Sequence, residues 1–132
     1  MICFDEKTAT FTLSGGDARY VMQVTDGVLE HRFFGAPIHP DDDLSLYRGE
    51  AATSFEARNP GTVGRNQILS EAPAFGRGDF REPMLLFRGE AGETTVDLKY
   101  AGHRIVSDHK LAGLPDDMVG VALLLAVTVA SP

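Results

Sequence analysis

The sequence predicts an all-β fold, an antiparallel two-sheet β-sandwich, on three observations. Short stretches alternate apolar and polar residues with the period of two that marks a half-buried strand. Turn-forming residues, among them Gly15-Gly16, Asp26-Gly27 and Glu90-Ala91-Gly92, divide those stretches at close intervals. No segment carries a helical period of comparable strength. Many short strands with one apolar face each must bury those faces against one another, and two packed sheets meet that need.

Taken in order, Ile2 to Asp5 and Ala9 to Leu13 read as a hairpin about Glu6-Lys7-Thr8, with Phe4, Phe11 and Leu13 on one side. Ser14-Gly15-Gly16-Asp17 turns the chain into a strand over Ala18 to Thr25, where Tyr20, Met22 and Val24 oppose Val21, Gln23 and Thr25. Asp26-Gly27 is a strong hairpin signal, because a tight loop needs left-handed backbone angles that these two residues adopt at low cost. The strand that follows, Val28 to Gly35, has mixed faces. Val28, Glu30, Arg32 and Phe34 stand against Leu29, His31 and Phe33, which makes one face a candidate to meet another subunit or domain.

Arg48 to Asn66 is a polar excursion broken by Gly49, Pro60, Gly61 and Gly64, with Thr53 to Phe55 as its one local β signal. Loops of that length are often functional or lie against a partner. Glu71 to Pro83 reads as a shaped crossing between two strand-rich halves: Gly76 and Gly78 widen the backbone choices, while Pro73 and Pro83 narrow them. Asp79 and Arg81 are close enough there to pair as a structural turn. Beyond it, strands are expected at Met84 to Arg88 and Thr94 to Tyr100, then a reversal at Ala101-Gly102 before His103 to Val106. The chain leaves the sheet over Leu111 to Pro115. Val121 to Val129 reads as a last strand from its Val and Thr content and its β context.

With 132 residues the chain is expected to form one domain, long enough to bury about two-thirds of its unfolded surface. A net charge of −7 with 12 scattered basic residues excludes nucleic acid, whose phosphates demand clustered Lys and Arg. Cys3 alone allows neither an internal disulfide nor a thiolate cluster and fits a reducing compartment. Asp5, Glu6 and Lys7 interrupt any signal-peptide pattern, so a cytoplasmic location is expected. The apolar run from Val119 to Ala130 falls short of the about 20 residues that span a bilayer, and no membrane partner is expected.

The residues alone point to no chemistry. Asp41-Asp42-Asp43 beside His39 lacks the alternating ligands and the later bidentate Glu of a calcium loop, and reads as a solvated turn. His31, His39, His103 and His109 lack the spacing of a zinc site. There is no nucleophile elbow, and nothing helical follows Gly76-Arg77-Gly78 to make it a phosphate cradle. Neither a metal nor a cofactor is expected.

A family resemblance adds what the residues leave open. The pieces that carry it are Phe11-Thr12-Leu13, Tyr20-Val21-Met22, Leu29-Glu30-His31 with Phe33-Phe34-Gly35, Glu71 through Pro83, Asp97-Leu98-Lys99-Tyr100, Gly102-His103-Arg104-Ile105 and Lys110 through Pro115. In this order they resemble the N-terminal domain of family 36 glycoside hydrolases, the α-galactosidases or melibiases. The resemblance implies a supersandwich-like β domain preceding a (β/α)8 barrel and a small C-terminal β domain, in enzymes that are commonly homo-oligomers.

Retaining hydrolysis needs two carboxyl groups about 5 Å apart across the anomeric carbon. In the family both are aspartates of the barrel, for which this sequence holds no matching stretch, so no residue here is assigned a catalytic role. The implied role is to flank the barrel, build the oligomer and lend a loop to the rim of a pocket for α-galactoside sugars. Where relatives often show Asp-Arg-x-Phe-Ser-Pro-Asn-Pro, this chain reads Thr53-Ser54-Phe55-Glu56-Ala57-Arg58-Asn59-Pro60, without the acid. Glu50, Glu56 and Arg58 are the rim candidates in its place. Ala72 stands where relatives favour an aromatic residue, and matching fades beyond Pro115. The alternative reading is an independent carbohydrate-binding or adaptor β-sandwich using Asp79, Arg81, Phe75 and Phe80, although the chain has no Trp to stack on a sugar.

Overall fold

The computed structural model describes residues 1–39, 69–75, 82–110 and 119–129. Six strands lie among them: β1 (Ile2–Asp5), β2 (Thr10–Gly15), β3 (Ala18–Thr25), β4 (Val28–Gly35), β5 (Leu98–Lys110) and β6 (Val119–Val129). They form two antiparallel sheets, one in the order β1-β2-β3-β4 and one pairing β5 with β6, and the described residues include no helix. The all-β, two-sheet expectation is therefore borne out.

The first sheet follows chain order because each connection is a tight turn. Asp26 and Gly27 both take positive φ, 51° and 78°, the pairing that a two-residue hairpin loop between right-twisted strands requires. Gly16, at φ 53°, takes the left-handed position of the β2–β3 turn. The Asp5 carboxylate accepts from the Lys7 backbone N–H and the Thr8 hydroxyl, each at 2.9 Å, and so braces the β1–β2 turn. Those bonds hold its pKa below the ordinary carboxylate range, the Thr8 hydroxyl foremost.

Period two then sets the inner face. Phe4 pairs with Phe11, Phe11 with Met22, and Leu13 with Tyr20, so their side chains share one side. Phe11 is fully buried and clusters with Met22 and Leu29. Tyr100 from β5 and Leu123 from β6 pack against that cluster, which places the second sheet over the first. The His103 ring lies 4.3 Å from Phe4 and 4.8 Å from Phe11, edge-on to the latter, and its Nδ1 is 2.7 Å from the Tyr100 hydroxyl. The seam is thus aromatic, with one polar contact inside it. The Tyr100 backbone N–H donates to the Gly27 carbonyl at 2.7 Å and ties β5 to the β3–β4 turn.

Two bulges correct the faces read from sequence. In β4, Met22 pairs with His31 and Val21 with Phe33, leaving Arg32 as an extra residue. The slip moves Phe34 to the side of Tyr20 and His31 instead of that of Val28 and Glu30. In β5, Tyr100 pairs with Val127 and Gly102 with Ala126, so Ala101-Gly102 is a bulge inside one continuous strand and not a reversal. The extra residue lets Tyr100 and His103, three apart, both meet Phe11.

Met84 to Arg88 is a further correction. These residues join no ladder; the Met84 N–H donates to the Pro73 carbonyl, and Met84, Leu85 and Leu86 are exposed. Strand propensity supplies half a strand, and a neighbouring ladder must supply the other half. Likewise residues 94–97 precede β5, held by the Val96 N–H on the Phe75 carbonyl at 2.7 Å.

The opposite face of the first sheet is also covered. Val21 and Val28 are buried there, and so are Glu30 and Arg32, at 2% and 7% exposure. Arg32 Nη2 donates to Glu30 Oε2 at 2.9 Å and to the Thr25 hydroxyl at 3.1 Å. A buried pair of this kind is costly to break from one side, because the remaining charge is stranded out of water.

Two stability predictions follow from these contacts, both read by urea unfolding. Phe11→Ala is expected to cost about 3–5 kcal/mol, and a loss below about 1 kcal/mol would remove Phe11 from the centre of the core. Arg32→Met alone is expected to cost about 3–5 kcal/mol, with much of that recovered in the Glu30→Leu/Arg32→Met double variant. A double variant no more stable than the single one would contradict the pairing.

Candidate functional site

The cluster that gathers most chemistry among the described residues begins where the central stretch meets β4. The His31 N–H donates to the Leu69 carbonyl at 2.7 Å and the Glu71 N–H to the Leu29 carbonyl at 2.9 Å, with Glu30 and Ser70 as the bridged pair between them. This short antiparallel contact fixes which way the Glu71 side chain leaves the backbone. The Ser70 hydroxyl accepts from the Ala72 N–H at 3.2 Å and bends the chain into the crossing.

Glu71 Oε1 receives two groups from the first sheet. The Tyr20 hydroxyl on β3 donates to it, and His31 Nδ1 on β4 stands 3.3 Å away. The Tyr20 and His31 rings are 4.9 Å apart, which the β4 bulge allows by keeping His31 and Phe34 on Tyr20's side. His31 and Glu71 are about three-quarters buried, at 27% and 24% side-chain exposure. Burial, then the hydrogen bond to Glu71 and the charge of that carboxylate, push the Tyr20 pKa upward. Tyr20 therefore remains a protonated donor over the whole ordinary pH range.

Beside this cluster lies an open depression of about 400 Å³, lined by Met1, Ile2, Leu13, Ser14, Tyr20 and Phe34 among others. Phe34 is 68% exposed at its edge. A phenol and an imidazole converging on one carboxylate oxygen make a clamp that fastens the crossing to the sheet. Glycosidic cleavage asks for something else, two carboxyl groups facing each other across a substrate. Among the described residues no group of three or more His, Cys, Asp and Glu gathers as a metal site.

The rim candidates Glu50, Glu56 and Arg58 lie outside the described residues, as do Asp79 and Arg81 of the expected turn and the run Asp41-Asp42-Asp43. The histidines have separate settings: His31 in the clamp, His103 in the inter-sheet seam, His39 exposed and His109 on β5. Sequence reasoning missed the clamp, whose hydroxyl and carboxylate are 51 positions apart. The available signal was that Tyr20, His31 and Glu71 each stand in a different piece of the family resemblance.

The raised pKa values of Tyr20 and Tyr100 have a consequence for alkaline stability. The folded chain keeps these protons at pH values where the unfolded chain has lost them. Stability is thus fully present below the ordinary tyrosine pKa of about 10 and falls as pH rises above it. Tyr20→Phe is expected to lower stability at pH 7 by about 0.5–1.5 kcal/mol and to flatten the alkaline decline. Equal slopes above pH 10 in thermal melts of the two proteins would remove Tyr20 as a cause.

Comparison with known proteins agrees with this architecture. Residues 27–130 match the family described as Glycosyl hydrolase family 36 N-terminal domain. Alpha-galactosidase AgaA of Geobacillus stearothermophilus is 34% identical over 118 residues, covering 86% of this chain and 16% of that protein. Alpha-galactosidase C of Emericella nidulans is 38% identical over 109 residues, covering 80% of this chain and 13% of that protein. Among solved structures, the GH36 alpha-galactosidase AgaB from Geobacillus stearothermophilus superposes with a TM-score of 0.78 at 28% identity, over 96% of this chain and 18% of that one. The chain spans less than a fifth of the length of these relatives. A family match that runs from the β3–β4 turn through the end of β6 is decisive: the chain belongs to the glycosyl hydrolase family 36 N-terminal domain family.

Proposed function

We propose that the chain acts as a single, non-catalytic β-sandwich domain at the N-terminal side of an α-galactosidase-like glycoside hydrolase. In this role it flanks the catalytic barrel, takes part in homo-oligomer assembly and lends residues to the rim of the sugar pocket. The observation that carries the reading is the match of residues 27–130 to the N-terminal domain alone, with the aligned relatives several times longer. The chemistry of the described residues supports it. Their one site-like carboxylate, Glu71, is engaged by Tyr20 and His31, as suits a structural fastening.

Sugar contact, on this proposal, is made by Glu50, Glu56 and Arg58 from the excursion ahead of the crossing, and Asp79 pairs with Arg81 to shape the crossing itself. Crystal structures of the relative AgaA in complex with raffinose and with stachyose support α-galactosides as the sugar class. A cytoplasmic setting belongs to the same proposal, resting on the use of a single cysteine, Cys3, which is exposed. No helix of the described residues is long and apolar enough to cross a membrane.

Three measurements test the reading. The 132-residue chain, purified and incubated with an aryl α-galactoside, is expected to release no galactose above the buffer blank, and turnover would overturn the assignment. In the longer polypeptide that carries the barrel, Glu56→Ala, Glu50→Ala or Arg58→Ala is expected to raise KM for raffinose by about 3- to 30-fold with kcat largely kept, as loss of uniform binding does. An unchanged KM in all three variants would remove the rim role and leave the scaffold role standing. Calorimetry of the 132-residue chain with melibiose is expected to show no saturable heat. Saturable binding would favour the independent carbohydrate-binding module.

A further inference from the structure

We draw no further inference here: the strongest candidate, the open apolar depression at the β2–β3 turn end of the four-stranded sheet between Met1, Leu13, Tyr20 and Phe34, carries nothing because nothing in the structure shows what covers it.

Discussion

The aromatic seam between the two sheets is the contact on which the rest of the structure depends. Phe11 has no exposed surface, and its ring is met from its own sheet by Phe4 and from the second sheet by Tyr100 and His103. A two-stranded ribbon is marginal in water by itself, so β5 and β6 need that face to hold their shape. The dependence is mutual: without the ribbon, the inner face of the first sheet would present Phe4, Phe11 and Met22 to solvent. The Tyr100–His103 hydrogen bond satisfies the two polar groups that this arrangement draws into the seam.

Around that seam two further polar clusters stand among the described residues. On the inner side, Glu71 takes a hydrogen bond from Tyr20 and lies beside His31, fastening the central crossing. On the outer side, Arg32 and Glu30 neutralise each other where Val21 and Val28 are buried. The first sheet is thus covered on both faces near β4.

The legible parts of the fold were those governed by local rules. β1 to β4 and β6 could be read from alternation and from turn residues, because hairpins join neighbours in sequence and their loops need particular backbone angles. Alternation failed at Arg32 and Ala101, where a single inserted residue changes the phase of everything after it. It failed again at Met84 to Arg88, since apolar composition says nothing about whether a partner strand is at hand. The clamp was illegible for a different reason: no local pattern links Tyr20 to a carboxylate 51 residues on.

The chain-order arrangement of the first sheet also bears on how the molecule assembles. Each ladder from β1 to β4 joins neighbours across a short turn, so its contacts form at small entropic cost. The Tyr20–Glu71 contact instead closes a loop of 51 residues, for which chain entropy alone costs roughly 3–4 kcal/mol. The meander is therefore the natural nucleus, and the crossing and the ribbon condense onto it afterwards. During synthesis, strands β1 to β4 leave the ribosome first and must wait for β5 and β6, with Phe11 uncovered until the last third of the chain arrives.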